Sequence, residues 1–189
     1  MQDVIASDIK DSIETKQRVL QSLIPDIETA SQTIISALKN GKKMLVCGNG
    51  GSAADAQHFA AEFTCRYDGD RIALPAIALT TDSSHVTATG NDYGFEFIFE
   101  RGVSALGNEG DILVAISTSG NSPNVLRAIN KAKEKGLQVI GLTGKDGGKM
   151  KDLPIHNLIV PSNVTARIQE SHILIIHILC KLVDKEFKK

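Results

Sequence analysis

The chain has 189 residues, of which 42% are hydrophobic, and its formal net charge is -1. This length and apolar content are enough to bury one full core, so we expect a single domain over residues 1–189. A near-neutral charge and an aromatic content of only 4% argue against binding to nucleic acid or to a membrane surface.

The first residues lack the basic and apolar regions of a signal peptide. The longest apolar run, residues 173–180, is interrupted by His177 and is too short to span a bilayer. We therefore expect a cytoplasmic protein with neither a nucleic-acid nor a membrane partner.

Helical spacing of apolar residues runs from residue 1 to about 40, and Pro25 should kink this segment or divide it into two helices. Asn40 and Gly41 are a plausible helix stop. Strand-like runs follow at 43–47, 74–79, 111–116, 137–142 and 156–160. Helix-like segments lie between and after them, at 52–67, about 94–106, 122–135 and 165–187. The segment 83–92 is ambiguous, and Asn91-Asp92 is typical of a turn.

Strands that alternate with helices predict an α/β fold with a parallel sheet covered on both faces. Five strands favour a flavodoxin-like, three-layer arrangement in the order 2-1-3-4-5, here with an N-terminal helical extension over residues 1–40. In that order, strands one and three are neighbours at the point where the chain reverses direction across the sheet. Ligands bind beyond the carboxyl ends of the strands at such a point.

Two polar loops follow these two strands. The first loop is 48–52, Gly-Asn-Gly-Gly-Ser, and the second is 117–122, Ser-Thr-Ser-Gly-Asn-Ser. Glycine lets the backbone approach a ligand closely, and a helix start offers unpaired N–H groups to an anion. Ser122-Pro123 is a strong helix start, with serine as N-cap and proline in the first turn. Together the loops predict a site for a small phosphorylated metabolite.

Other interpretations of the first loop stay open. With Ala53 it matches the GxGxxA dinucleotide fingerprint, for which Asp82 is the candidate ribose ligand, although there is no room for a separate substrate domain. Ser52 and Asp55 also fit a capping box, which would make Asp55 structural. Alternatively, Asp55 could orient His58.

His58 and Glu62 lie four residues apart on the helix after the first loop, so they share a face and could hold a metal or move a proton. The C-terminal helix is apolar nearly all round and carries Gln169, His172 and His177, which suggest a polar pocket at a subunit interface. Gln169 and His177 are eight residues apart, about 12 Å along the axis. One rigid helix could bring both to one ion only at full side-chain stretch, so we predict that neighbouring chains contribute to each site.

The chain resembles the phosphoheptose isomerases of the sugar-isomerase, or SIS, domain family, essentially from end to end. The resemblance is carried by CGNGGSAADAQHFAAEF at 47–63, GNDYGF at 90–95, ISTSGNSPNV at 116–125, GLTGKDGGKM at 141–150 and RIQESHILIIHIL at 167–179. It implies conversion of sedoheptulose 7-phosphate to D-glycero-D-manno-heptose 7-phosphate, early in the synthesis of heptose for lipopolysaccharide or capsule.

The resemblance also implies a set of site residues. Glu62 would be the base and His177 the acid, with one zinc ion per subunit on His58, Glu62, Gln169 and His177. Substrate contacts would come from Asn49, Gly50, Gly51, Asn91, Asp92, Ser117, Thr118, Ser119, Ser122 and Gln169. A homotetramer with shared active sites is implied, with residues 1–40 used in assembly.

Two alternatives belong to other classes of protein. The same family includes a non-catalytic, tetrameric adaptor that associates with the bacterial replication initiator. A complete proton-transfer and metal set favours the enzyme, because an adaptor has no chemical need for one. A sugar-phosphate sensor domain is disfavoured, since such domains are usually joined to a DNA-binding module and this chain has no space for it.

Overall fold

Two helices cover the N-terminal extension in the structure, a computed structural model that describes residues 1–188. Helix α1 spans Gln2–Ser22 and α2 spans Ile24–Lys39, with Pro25 in the first turn of α2. The predicted division at Pro25 is therefore confirmed, because proline is tolerated at a helix start but not in a helix interior. Polar contacts join α1 to the C-terminal helix: Arg167 donates to the carbonyl of Asp8 at 2.8 Å, and Ser12 donates to Glu170 at 2.7 Å.

Strands and helices then alternate to the end of the chain. The strands are β1 Met44–Gly48, β2 Ala76–Ala78, β3 Ile112–Ser117, β4 Gln138–Gly144 and β5 His156–Val160. The helices are α3 Gly51–Thr64, α4 Ser83–Asp92, α5 Ile98–Leu106, α6 Pro123–Glu134 and α7 Thr165–Phe187. Short 3-10 turns lie at Phe95–Phe97 and Gly148–Met150.

The five strands form one parallel sheet in the order β2-β1-β3-β4-β5, which confirms the predicted topology. Side chains alternate between its faces, as the period of a strand requires. Val46 and Val114 pack with α1, α2, α3 and α7 on one face, whereas Leu45 and Leu113 pack with α5 and α6 on the other. The molecule therefore has three layers, and the carboxyl ends of β1 and β3 lie side by side.

The segment 83–92 is helix α4, so the turn predicted at Asn91-Asp92 is wrong: these residues end the helix. Asp82 caps it by accepting a hydrogen bond from the backbone N–H of His85 at 3.0 Å. This bond satisfies one of the unpaired donors of the first turn. Asp82 therefore has a structural role as the N-cap residue of α4.

Candidate active site

Helices α3 and α7 bring the two predicted catalytic residues, Glu62 and His177, together with the predicted metal ligand His58. Nε2 of His58 lies 3.1 Å from Nε2 of His177 and 3.4 Å from Oε1 of Glu62. The His58 side chain is 44% exposed and that of Glu62 is 20% exposed, so the cluster opens to solvent on one side. One of the two Nε2 atoms must donate this hydrogen bond and the other must accept it. The cluster thus places a carboxylate within 3.4 Å of one imidazole of a hydrogen-bonded histidine pair.

Gln169 lies elsewhere on the same pair of helices. Its amide packs so closely over Gly51 that a β-carbon at that position would meet Nε2 of Gln169 at 2.7 Å. Gly51 precedes His58 by seven residues, or about 10 Å along α3. Within one chain, the four predicted metal ligands are therefore divided between the start of α3 and its middle.

His172 does not share a pocket with Gln169 and His177, and that prediction is wrong. Its side chain is fully buried and its Nε2 lies 2.9 Å from the carbonyl oxygen of Thr143 in β4. His172 and His177 are five residues apart, which places them about 140° apart around the helix. His172 consequently faces the sheet, while His177 faces α3.

The cluster has side chains that zinc can bind, and two of its separations are close to those between zinc ligands. Imidazole nitrogen and carboxylate oxygen are both zinc ligands, and two donors bound to one tetrahedral ion lie roughly 3.3 Å apart. The separations of 3.1 Å and 3.4 Å around His58 are close to that value. Within residues 1–188, however, no group of three or more His, Cys, Asp or Glu side chains is arranged to hold a metal ion. Zinc would have to replace the hydrogen bond that joins the two imidazoles.

The first loop is held by an amide pair. Asn49 and Asn124 exchange two hydrogen bonds between their side chains, at 2.8 Å and 2.9 Å, and Asn124 is buried. This pair ties the loop after β1 to the first turn of α6, which follows the second loop. Sequence reasoning missed Asn124, because its partner is 75 residues away and no local pattern marks it.

Helix α3 begins at Gly51 with Gly50 as its N-cap, and no side-chain cap bond is formed. The predicted capping box of Ser52 and Asp55 is therefore wrong. Asp55 is half-buried, and this burial raises the pKa of its carboxyl despite the opposing effect of nearby His58.

The second loop is pinned from two sides. Ser122 is the N-cap residue of α6, as predicted, but its side chain makes no cap bond. Its Oγ instead lies 2.9 Å from Oγ of Ser117, at hydrogen-bond distance. Gly120 has a φ of +65°, and its carbonyl accepts from the backbone N–H of Met150 at 3.0 Å. Thr118 and Ser119 lie half-buried between these points. The loop thus presents hydroxyl and backbone groups from a fixed backbone.

Asn91 and Asp92 are not brought to the other predicted residues. Both are exposed at the end of α4, and Nδ2 of Asn91 donates to Oδ1 of Asp92 at 2.8 Å. Among residues 1–188, neither side chain hydrogen-bonds to a predicted site residue outside this pair. Their exposure leaves them available to a second molecule.

Tyr67 is a further neighbour of the cluster that sequence reasoning missed. Its ring lies over that of His177, with centroids 5.6 Å apart and planes inclined by 32°. The helix predicted over 52–67 ends at Thr64, so Tyr67 lies three residues beyond it, and nothing in the sequence placed its ring near α7.

Comparison with known proteins defines the class first. A family model described as "SIS domain" matches residues 9–144. In the described part of the chain, no helix combines the length and the apolar character that crossing a membrane requires.

Relatives then define the branch of that family. A phosphoheptose isomerase of Campylobacter concisus is 56% identical over 183 residues, which is 95% of this chain and 97% of the relative. Solved phosphoheptose isomerases from Francisella tularensis and Neisseria gonorrhoeae are 45% and 49% identical, with TM-scores of 0.95 and 0.91. Each comparison covers 97% of this chain and 98% of the solved one. The chain belongs to the phosphoheptose isomerases of the SIS domain family, and the predicted class of enzyme, an aldose–ketose isomerase, is confirmed.

Proposed function

We propose that this chain converts sedoheptulose 7-phosphate into D-glycero-D-manno-heptose 7-phosphate in the cytoplasm, early in the supply of ADP-heptose for lipopolysaccharide or capsule. The observation that carries the proposal is His58, which lies within 3.4 Å of both His177 and Glu62. The name that the relatives share supports the substrate class.

The isomerisation moves a proton between two neighbouring carbons. Glu62 takes a proton from C1 of the ketose while His177 donates one to the carbonyl oxygen on C2, which gives a cis-enediol. His177 then takes the proton of the C1 hydroxyl, and Glu62 returns its proton to C2 to form the aldose. Both groups end in their starting states, as general acid–base catalysis requires.

The two loops would hold the rest of the substrate. Serine and threonine hydroxyls of the second loop would donate hydrogen bonds to the phosphate dianion, and the N-terminus of α6 would attract its charge. This arrangement can hold a phosphate without a lysine or arginine. Asn49, Gly50 and Gly51 of the first loop would face the sugar, together with Gln169. Asn91 and Asp92 would reach the sugar from another subunit.

Zinc is proposed as the cofactor, one ion per subunit, on His58, Glu62, Gln169 and His177. When bound, it would polarise the carbonyl oxygen of the sugar. A carboxylate bound to a metal is a weaker base, so Glu62 would serve one role at a time. Metal analysis of the purified protein should give one zinc per subunit, and a chelator should lower turnover until zinc is added back; full turnover in metal-free protein would refute this.

A homotetramer with shared sites is also proposed. Helix α1 exposes an apolar stripe that continues into α2, and each of its members is more than half exposed: Ile5, Ile9, Ile13, Leu20 and Ile24. Contiguous apolar surface of this kind marks a protein interface. Light scattering should give a mass of four chains, and replacement of Ile9 and Ile13 by glutamate should lower both mass and activity. A monomer with full activity would exclude shared sites.

The decisive experiment is Glu62→Gln, assayed by NMR with sedoheptulose 7-phosphate. The variant keeps size and hydrogen bonding but lacks the basic carboxylate, so kcat should fall about 10²–10⁴-fold. Binding of the sugar phosphate, measured by calorimetry, should change little. Glu186→Gln is the matched control, because Glu186 forms only an exposed ion pair with Lys39. Substantial turnover by Glu62→Gln would refute the base assignment, and an inactive wild type would favour the adaptor.

A further inference from the structure

A buried ion pair lies beneath the proposed catalytic cluster. The side chains of Arg71 and Asp184 are 1% and 2% exposed, and Nε of Arg71 donates to Oδ1 of Asp184 at 2.5 Å. A buried ion pair is weak evidence for stability, because removing two charges from water offsets much of their attraction. Its position in the fold therefore calls for another explanation.

The side chain of Arg71 caps the C-terminal end of α3, the helix that carries the proposed base. One terminal nitrogen of its guanidinium donates to the carbonyl of Glu62 at 2.5 Å, and the other donates to the carbonyl of Phe63 at 2.9 Å and that of Ile72 at 2.8 Å. The last carbonyls of a helix have no partner within the helix, and they favour a cation there. The backbone of Glu62 itself is thus fixed by Arg71.

Asp184 fixes the segment between α3 and Arg71. Its Oδ2 accepts from the backbone N–H of Asp68 at 2.8 Å. This bond holds the chain where Tyr67 lies over the His177 ring, whose other neighbour is the His58 ring at a centroid distance of 5.3 Å. Asp184 follows His177 by seven residues, or nearly two turns of α7, so both lie on the same face.

We propose that Arg71 and Asp184 are positioning residues for the isomerisation, because together they fix α3, Tyr67 and α7 relative to one another. The pair would set the separation of Glu62 from His177, and through Tyr67 it would set the orientation of the His177 ring. Neither residue needs to touch the substrate. This inference rests on the proposed roles of Glu62 and His177.

The test uses the full-length protein with Asp184→Asn, Arg71→Lys and the double variant Arg71→Met/Asp184→Leu. The double variant leaves no unpaired charge, and such replacements often preserve stability. Tyr67→Ala removes the ring without touching the pair. Glu186→Gln, two residues from Asp184 on α7, is the control because its partner Lys39 is exposed.

We expect kcat for sedoheptulose 7-phosphate to fall about 10- to 100-fold in each folded test variant, since small displacements of reacting groups have effects of this size. KM should stay within about twofold, and zinc affinity, measured by competition with a chromophoric chelator, should fall about tenfold or more. Unchanged kcat and zinc affinity in a folded double variant would overturn the proposal. A loss of kcat that follows only the fraction of unfolded protein would also overturn it.

A second readout separates this proposal from the proposed function. The chain has five histidines, so selective ¹³C labelling of their rings gives few signals. The His177 signal should move in Asp184→Asn and Arg71→Lys, which keep the Tyr67 ring, and stay in Glu186→Gln. If the wild type had no isomerase activity, the proposed function would fail, while this shift would still decide whether the pair positions His177. An unmoved His177 signal in the test variants would refute the positioning role.

Discussion

Acidification from pH 7 to pH 5 should destabilise this protein through His172, which has no role in the proposed mechanism. Its ring is fully buried, and a carbonyl oxygen, that of Thr143, faces Nε2 at 2.9 Å. Because a carbonyl oxygen only accepts, Nε2 carries the hydrogen, which leaves Nδ1 bare. Nδ1 is buried without a hydrogen-bond partner in the described residues. A second proton would therefore sit in apolar surroundings without an acceptor.

Burial lowers the pKa of His172 from 6.5 to about 4, and the bond to the Thr143 carbonyl opposes this only in part. Between these two values the unfolded chain binds a proton that the folded chain excludes, so stability falls as the pH falls through this window. From pH 7 to pH 5 the free energy of unfolding should decrease by about 2 kcal/mol on this account. Below pH 4 both states are protonated, and the loss levels off near roughly 3 kcal/mol.

The assay is urea unfolding of the wild type and His172→Gln at pH 7 and pH 5, at one protein concentration. Glutamine keeps an N–H donor for Thr143 but does not titrate. The free energy of unfolding of the variant should therefore decrease by about 2 kcal/mol less than that of the wild type between pH 7 and pH 5. Any packing defect lowers stability equally at both pH values and cancels in the difference. Acid titration of carboxylates, such as Asp184, also cancels because both proteins share it. Equal acid losses in the two proteins would refute the reasoning.

Three further substitutions test the loops. Gly51→Ala should displace the flexible amide of Gln169, which should lower kcat about tenfold or more with little change in Tm. Adding Gln169→Ala to that variant should lower kcat little further, and additive losses of kcat would contradict the contact between the two residues. Asn124→Ala should leave the Asn49 amide unpaired, which should raise KM and reduce the free energy of unfolding, measured by urea denaturation, by about 1–3 kcal/mol. An unchanged KM would show that the pair does not support the substrate loop. In Gly120→Ala, the new β-carbon would clash with the carbonyl oxygen of Gly147, and the left-handed φ of +65° alone costs an alanine about 1–2 kcal/mol. The loop must therefore shift, which should weaken sugar-phosphate binding in calorimetry; unchanged tight binding would exclude this loop from the phosphate site.

The fold was predictable because its signals are local. Each apolar strand run is short, each is followed by a helical period, and strict alternation leaves few topologies. Helix α4 was harder, because residues 83–92 include Gly90 and Asn91 and few apolar residues, so neither period stands out. Helix α4 starts at the Asp82 cap and packs against α5. Such tertiary packing can override a weak intrinsic helix propensity.

The site was predictable only in part, for a related reason. Spacing of four residues identifies His58 with Glu62, but the contact of His58 with His177 joins residues 119 positions apart. Arg71 was invisible in the sequence because most of its partners are backbone carbonyls, which carry no sequence signal. The error over His172 was avoidable, since five residues on a helix turn a side chain by about 140° away from His177.

The proposed catalytic geometry depends on the register between two helices. Helices α3 and α7 run in the same direction and meet at three heights: Gly51 against Gln169, His58 against His177, and the Glu62 carbonyl, through Arg71, against Asp184. A slip of one residue would shift one helix by about 1.5 Å and turn its side chains by about 100°. His58 would then no longer face His177. Close packing on a glycine at one end and a buried ion pair at the other oppose that slip, so residues without chemistry of their own hold the acid and the base in place.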